Sequence, residues 1–393
     1  MTLARTLNLI AVTLFAVGLP ASLYAELPRV RLSPVKGLPV GLDTVISVRF
    51  PETEPVVKTW KLTGGDGTSI IAQRDVRTGR VLWLERTTKS RREFFVQPTE
   101  SIPVATITAE KTGFRFRDGK RVVLFYQRDP HSLDGKHTAA NYVHPVLGLD
   151  GETLTQDFPK DHPHHHGVYW AWHQLWVGEM RAGDPWVNRD FLPVVKKAEV
   201  IEQGPQFATL KILAHWTSPL VTEKPNVPAA IVEETTFIRL YRAIGDVQYV
   251  DFEISLRPLL PNVRIGGSED KKGYSGFTVR TKPPKSFHLT DVGGVLDGDG
   301  MHRKSRWADA SGRHGQDEHV SGIGILAHKT LPEFPPRWLL RHYGMQNVLY
   351  PGREPVALSP KKPLTLRHRL VIHRGDAKTA RVADHQRAYE LLP

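Results

Sequence analysis

The sequence contains no cysteine among its 393 residues. This absence excludes disulfide bonds, thiolate nucleophiles, and zinc or iron–sulfur centres held by cysteine. A protein without disulfides has to be stabilised by its hydrophobic core, and a chain of this length is long enough to bury one large core or two smaller ones.

Long apolar runs are missing beyond the N-terminus. Arg5 precedes a short apolar stretch at residues 7–19, and small residues up to Ala25 offer a cleavage site. The stretch is shorter than the roughly 20 residues that a membrane span requires, which favours a signal peptide over an uncleaved anchor. We therefore predict an exported protein, periplasmic or extracellular, with no membrane span.

Helical patterns are scarce, and apolar residues recur instead with a period of two. One face of residues 207–216 and one face of residues 247–256 are apolar, as in half-buried strands. Only residues 376–392 have a helical pattern, with Asp376 as the candidate N-cap. We predict an all-β fold: a large antiparallel β-sandwich (supersandwich-like) with a small N-terminal β unit and a C-terminal helix.

The 32 glycines and 30 prolines are spread along the chain, which suits short strands joined by turns. Strand candidates at residues 44–50, 80–84 and 92–96 form an N-terminal group, and residues 97–106 resemble a linker. The predicted organisation is a signal peptide at 1–25, a small N-terminal β domain at 26–106, and a large β-sandwich domain at 107–393 that carries the histidine-rich site.

No GxSxG, Walker, GxGxxG or HExxH motif is present, so the chemistry has to be sought in clusters of residues. Eight of the 18 histidines lie between residues 131 and 173, and four of them fall in the segment Asp161-His162-Pro163-His164-His165-His166. A solvated loop is the alternative, but this density beside two aspartates favours a functional site. Neutral imidazole is the usual general acid or base near neutral pH.

A metal centre is a second interpretation of the same segment. In an extended conformation His162, His164 and His166 would point one way, and Asp161 and His165 the other. Three imidazoles on one face can hold zinc, copper or iron, with a carboxylate from elsewhere completing the ligand shell. The predicted metal ligands are therefore His162, His164 and His166.

Other polar residues at strand ends and turns complete the candidate site. Glu234 begins a strand and offers a carboxylate, Arg280 ends one and suits an anionic or hydroxyl-rich ligand, and tryptophan rings can stack on sugars. The candidate catalytic residues are His162, His164, His165, Glu234, Asp309 and His342. The candidate substrate-binding residues are His144, Trp172, Arg280, Trp307 and Asn347.

The formal net charge is +12. A basic protein can bind nucleic acid, but predicted export argues against that partner and favours an anionic polysaccharide or envelope surface; a generally basic, solvated surface is the alternative. We predict a small-molecule or glycan substrate, anionic in one version, and no nucleic acid.

The motifs Tyr142-Val143-His144-Pro145, Asp150-Gly151 and residues 157–167 resemble the secreted PmoA-like family of bacteria, catalogued as "methane oxygenase PmoA". The likeness continues, more loosely, through residues 234–235, 276–280, 307–312 and 342–344, and it covers most of residues 60–350. Position 166 is histidine here, where many members have arginine. The resemblance implies an exported β-sandwich protein. The true membrane subunit of methane monooxygenase spans the bilayer several times, and this sequence has no such spans.

Three functional hypotheses follow. The first is an exported enzyme that acts on carbohydrate or a related polyhydroxy substrate by histidine and carboxylate acid–base chemistry, metal-assisted in one version, as a hydrolase, lyase or epimerase. The second is an oxidative copper or iron metalloenzyme, an oxygenase, as the family label implies. The third is a non-catalytic glycan-binding protein that uses its tryptophans and basic surface.

Overall fold

Alternating apolar and polar side chains make strands the dominant element of this chain. A computed structural model describes residues 29–32, 36–50, 57–314 and 319–393. The predicted signal peptide at residues 1–25 lies outside these residues. None of the described residues forms a helix with the length and apolarity needed to span a membrane.

The N-terminal strands form a sheet of their own. They are β1 (Arg29–Leu32), β2 (Asp43–Val48), β3 (Thr59–Gly64), β4 (Ser69–Arg74), β5 (Val81–Arg86) and β6 (Arg92–Pro98), in the order β1-β6-β3-β4-β5-β2. Their apolar faces bury Trp60, Leu62, Trp83 and Phe94 in a separate core. The strands predicted at residues 44–50, 80–84 and 92–96 are confirmed. The boundary predicted after residue 106 falls inside the next strand.

The remaining strands run from residue 105 to residue 374. The first of them are β7 (Ala105–Glu110), β8 (Gly113–Asp118), β9 (Arg121–Gln127), β10 (His131–Leu133), β11 (Lys136–Ala139), β12 (Tyr142–Val146), β13 (Val168–Ala171), β14 (Gln174–Val177) and β15 (Met180–Gly183). Next come β16 (Leu192–Glu202), β17 (Phe207–Lys224), β18 (Val227–Tyr241), β19 (Val247–Pro258), β20 (Val263–Gly266), β21 (Gly276–Arg280), β22 (Lys285–Asp291) and β23 (Gly294–Val295). The last are β24 (Gly300–Lys304), β25 (Trp307–Arg313), β26 (Val320–Ala327), β27 (Arg337–Arg341), β28 (Met345–Leu349), β29 (Val356–Ala357) and β30 (Leu364–Arg374).

Most of these strands belong to two nine-stranded sheets. The site sheet has the order β24-β27-β28-β21-β13-β12-β9-β8-β7, and the back sheet has the order β16-β17-β18-β19-β30-β26-β25-β22-β23. Between them lies the main hydrophobic core, in which Phe252 of the back sheet contacts Trp170 and Phe277 of the site sheet at ring distances of 6.2 and 5.2 Å. The predicted large antiparallel β-sandwich is therefore confirmed. Smaller sheets pair β10 with β11 and order β15-β14-β20-β29.

The helix α1 (Val382–Leu391) confirms a C-terminal helix but is shorter than the predicted 376–392. Asp376 is not its N-cap. The Asp376 carboxylate instead accepts a hydrogen bond from the Thr379 N–H at 2.7 Å, within the turns that precede the helix. The helix starts only after Arg381, which has a left-handed φ of 59°.

The period of two along β13 places the site. Val168 and Trp170 point into the main core, so Tyr169 and Ala171 point to the opposite face of the site sheet. There they join a second apolar cluster that includes Trp186. The histidine-rich segment packs against this outer face.

Candidate active site

Residues 156–167 form a series of turns, so the extended conformation expected for the histidine-rich segment is wrong. The His165 N–H donates to the His162 carbonyl at 2.9 Å, and the His162 N–H donates to the Pro159 carbonyl at 3.1 Å. These local bonds bring the His162 ring onto the His165 ring, at 4.8 Å between centroids and 12° between planes. His166 is turned away from them and is held separately.

The His166 side chain is fixed by Asp157. The His166 Nδ1 lies 2.7 Å from Asp157 Oδ1, and the Tyr142 hydroxyl donates to Asp157 Oδ2 at 2.8 Å. Burial raises the pKa of the Asp157 carboxyl, but the hydrogen bonds from His166 and Tyr142 outweigh burial, and the pKa is lowered. A carboxylate accepts a hydrogen bond, which in the neutral tautomer of His166 places the ring proton on Nδ1 and leaves Nε2 as a lone-pair acceptor.

His166 Nε2 is buried and has no hydrogen-bond partner among the described residues. His166 lines a cavity of about 40 Å³, together with Tyr142, Trp186, Trp216 and Glu234. Such a volume holds about three water molecules. The cavity therefore combines an oriented, unpaired imidazole nitrogen with a carboxylate.

Glu234 reaches the cavity from the back sheet. Its neighbours at a period of two along β18, Thr236 and Ile238, are also buried, so Glu234 points into the sandwich. The Glu234 carboxylate accepts hydrogen bonds from Asn141 Nδ2 and Trp216 Nε1, both at 2.9 Å, and from the Thr236 hydroxyl at 2.8 Å. These donors are neutral, so no cation among these partners neutralises the carboxylate.

Arg280 clamps the histidine-rich segment to the sheet. Its Nη2 donates to both carboxylate oxygens of Asp161, at 2.7 and 2.8 Å, and its backbone N–H donates to the Gly167 carbonyl at 2.7 Å. Burial raises the pKa of the Asp161 carboxyl, but hydrogen bonds from Arg280 and His162 outweigh it and lower that pKa to about 2. Arg280 is buried, and its Nη1 has no hydrogen-bond partner among the described residues. Substrate binding by Arg280 stays a prediction.

The other three histidines of the segment, His162, His164 and His165, pack against one another. The His162 ring stacks between His165 and Tyr343, whose centroid is 4.6 Å away, and the His164 ring contacts His165 edge-on at 4.8 Å. Burial, together with the neighbouring histidines, lowers the pKa of His164 to about 4 and that of His165 to about 2. Both rings therefore stay neutral near pH 7.

Several predicted site residues lie elsewhere. Asp309 is in the back sheet, where its carboxylate pairs with His373 at 2.7 Å. His342 lies in the turn between β27 and β28 and contacts Asp299, with 3.4 Å between ring nitrogen and carboxylate oxygen. Trp307 packs in a cluster with residues near the C-terminal helix.

Three predicted substrate-binding side chains have their polar atoms engaged within the protein. The buried Trp172 indole N–H donates to the Tyr350 carbonyl at 2.9 Å. Asn347 Nδ2 donates to the Ser275 carbonyl at 2.9 Å and the Phe277 carbonyl at 3.3 Å. His144 Nδ1 lies 3.0 Å from the Thr155 hydroxyl. These contacts give the three side chains structural roles. Both hydrogens of the Asn347 amide nitrogen are used in hydrogen bonds within the protein.

The predicted metal ligands do not converge. His166 bonds to Asp157 and His162 Nδ1 bonds to Asp161 at 2.9 Å, while the His162 ring stacks flat on His165. Within residues 29–32, 36–50, 57–314 and 319–393, no group of three or more histidine, aspartate or glutamate side chains is arranged to hold a metal ion. Binding of zinc, copper or iron at this segment stays a prediction.

Three members of the site are not among the predicted site residues. Asp157 and Tyr142 lie within the motifs that carry the family resemblance, but their spacing gives no reason to pair their side chains. Trp186 is one of the tryptophans whose rings were expected to stack on sugars. Arg280 was among the predicted residues, and the period of two in residues 276–280 explains its position. Phe277 and Val279 face the core, so Arg280 faces outward, towards the histidine-rich segment.

Comparisons with known proteins give one family match. The model of the "Family of unknown function (DUF6807)" matches residues 114–387. No curated protein matches the sequence.

Two of the solved structures that match this chain are an alpha-mannosidase and a mutarotase. An alpha-mannosidase from Enterococcus faecalis V583 has a TM-score of 0.48 and 10% identity over 92% of this chain, which spans 45% of the mannosidase. YeaD from Salmonella typhimurium, assigned as a mutarotase, has a TM-score of 0.27 and 10% identity, covering 70% of this chain and 97% of YeaD. At these scores the likenesses carry no information about activity.

Proposed function

The chain belongs to the Family of unknown function (DUF6807), and we propose that it is an exported enzyme that acts on a carbohydrate or related polyhydroxy substrate by acid–base chemistry. The observation that carries the proposal is the Asp157–His166 pair. The second ring nitrogen, His166 Nε2, is buried without a partner among the described residues, and His166 lines the cavity that Glu234 also lines.

His166 is the general base in this proposal. Its Nε2 takes a proton from the reacting group in the cavity, and the imidazolium that forms is stabilised by the Asp157 carboxylate at Nδ1. The Tyr142 hydroxyl holds the second oxygen of Asp157, so the carboxylate cannot rotate freely. On the way back, the same nitrogen returns the proton as a general acid.

Glu234 supplies the second group that the chemistry needs. Hydrolysis, elimination and epimerisation each require an acid and a base on different sides of the substrate. His166 comes from the outer face of the site sheet and Glu234 from the back sheet, and both line the same cavity. The Glu234 carboxylate can receive a proton or stabilise positive charge that develops in the transition state.

The polar lining of the cavity supports a polyhydroxy substrate. His166, Trp186 and Glu234 line it, and their side chains can exchange hydrogen bonds with hydroxyl groups. The rings beside the cavity pack on one another, with His162 between His165 and Tyr343, so they shape the site rather than offer a stacking face.

The test is a screen with a matched variant. The purified protein is incubated with a panel of glycosides, uronides and free sugars, and ¹H NMR records cleavage, elimination or epimerisation. We expect His166→Gln to lower kcat/KM by about 10²- to 10⁴-fold, because it removes the proton acceptor. The control, His302→Gln, changes an exposed histidine on β24 and should leave turnover intact.

Two results would contradict the proposal. One is turnover in His166→Gln equal to that of the unmodified protein. The other is an unmodified, folded protein that turns over no member of the panel.

A further inference from the structure

Three residues that line the cavity carry a buried polar atom without a partner among the described residues: His166, Trp186 and Tyr169. The unpaired atoms of His166 and Trp186 have opposite hydrogen-bonding character. The Trp186 indole Nε1–H can only donate, and it is buried with no partner among the described residues. His166 Nε2 can only accept while His166 Nδ1 is bonded to Asp157. Both residues line the 40 Å³ cavity.

We infer that this cavity binds one hydroxyl group of the substrate, which donates to His166 Nε2 and accepts from the Trp186 Nε1–H. A hydroxyl is the smallest organic group that both donates and accepts. A carboxylate has no hydrogen for His166, and an ammonium group has no lone pair for Trp186. The inference rests on the proposed function, because it names the substrate group on which His166 acts.

The size and charge of the cavity agree with a neutral hydroxyl. A volume of about 40 Å³ admits a single small group, so the rest of the substrate lies outside. Neither lysine nor arginine is among the described residues that line the cavity. Although the net charge is +12, the basic side chains that produce it are not found in this lining.

Trp186 is held rigidly enough to aim its N–H. Its backbone N–H donates to the Trp172 carbonyl at 2.9 Å and is 3.1 Å from the Asp184 carboxylate. The indole ring stacks on His173 at 5.4 Å and 20°. His173 Nδ1 is in turn 3.0 Å from the same Asp184. Asp184 and His173 are thus positioning residues, and Trp186 is the specificity-determining residue, acting through its N–H rather than its ring face.

The experiment uses the indole signal of Trp186 in ¹H–¹⁵N spectra of the full chain, assigned with Trp186→Phe. The probes are D-glucose, D-mannose, D-galactose and myo-inositol. We expect the Trp186 proton to move downfield with a probe that binds, and the Kd of that probe to rise about tenfold in Trp186→Phe, which keeps an aromatic ring but loses one hydrogen bond. The matched control is Trp176→Phe, which removes an indole N–H bonded to Gln174 outside the cavity.

The outcomes separate this inference from the proposed function. If the Trp186 signal stays unmoved while a probe binds, the inference is overturned; turnover lost in His166→Gln would still leave the acid–base proposal standing. Binding by none of the probes would also overturn it. If Trp186→Phe does not fold, the Trp186 signal is assigned through nuclear Overhauser contacts with the stacked His173 ring, and its shift in the unmodified protein then decides alone.

Discussion

Two histidine–aspartate pairs, Asp157–His166 and Asp309–His373, have the same distance of 2.7 Å between ring nitrogen and carboxylate oxygen. In the first pair the ring uses Nδ1, and Nε2 borders the cavity without a partner among the described residues. In the second pair Nε2 faces Asp309, and Nδ1 lies 3.1 Å from the Gly375 carbonyl. The number of ring nitrogens already bonded thus distinguishes a group free for chemistry from an ion pair of the core.

The Asp309–His373 pair is a buried ion pair with no ring nitrogen left for a reaction. Both of its side chains are 0% exposed, and a carbonyl and a carboxylate both accept, so His373 donates from both nitrogens as an imidazolium. Burial lowers the pKa of His373, but the charge and hydrogen bond of Asp309 outweigh burial and raise it. Gly322 makes room for the ring, because a Cβ there would lie 2.4 Å from His373 Cε1.

The largest difference between the two pairs should appear in activity. Asp157→Asn removes the charge that stabilises the His166 imidazolium, and we expect kcat to fall by about 10²- to 10⁴-fold with the fold retained. Turnover of the substrate found in the sugar panel measures the effect, and circular dichroism checks the fold. An Asp157→Asn protein with full activity would remove the distinction between the pairs.

Stability should respond in the opposite way. Asp309→Asn leaves the His373 charge buried without a counter-ion, and we expect the free energy of unfolding to fall by about 3–5 kcal/mol. Urea unfolding followed by tryptophan fluorescence measures it, with Asp157→Asn as the matched carboxylate control. The comparison would fail if Asp157→Asn lost as much stability as Asp309→Asn.

The pH dependence of stability should have two opposite slopes. Because the folded-state pKa of His373 is raised, its stabilisation is complete below the unfolded value of about 6.5 and is lost as pH rises through the folded value. Because burial lowers the pKa of His165 to about 2, unfolding takes up a proton below about pH 6.5, and stability is lost as pH falls towards 2. Tm should therefore pass through a maximum between acid and alkaline pH. In Asp309→Asn the alkaline slope should flatten; an unchanged slope would argue against a charged His373.

The smallest effect is expected at His342, a histidine beside an aspartate in an exposed turn. Its contact with Asp299 is 3.4 Å long and open to solvent, where such pairs contribute less than about 1 kcal/mol. His342→Gln should change neither turnover nor the urea midpoint measurably. A loss of turnover there would return His342 to the site that the sequence predicted.

Much of the fold follows from local patterns. Alternation predicted strands at residues 207–216 and 247–256, because one buried face imposes a period of two, and the structure has strands there at Phe207–Lys224 and Val247–Pro258. The start of the C-terminal helix was harder to predict than the strands. Asp376 has a side chain typical of an N-cap, but the helix begins only after Arg381. No sequence pattern predicts the left-handed backbone conformation of Arg381.

The proposed site overlaps the predicted one in part. The histidine density drew attention to the segment that holds His166, and Glu234, a predicted catalytic carboxylate, lines the same cavity. The roles within the segment could not be read, because they depend on turns that stack His162 on His165 and send His166 to Asp157. The spacing suggested a shared face for three histidines, which only an extended backbone would give.

The sequence by itself determined that the protein has no thiol chemistry, that its strands alternate between buried and exposed faces, and that its histidines concentrate in one segment. Composition and periodicity are properties of the sequence itself, so they can be recognised before any tertiary contact is known. Only the tertiary structure decided that His166 keeps a free nitrogen while His373 does not. That difference depends on tertiary surroundings. His166 bonds to Asp157 in its own segment and shares a cavity with Glu234 of the back sheet, whereas strand pairing in the back sheet brings Asp309 to the second nitrogen of His373.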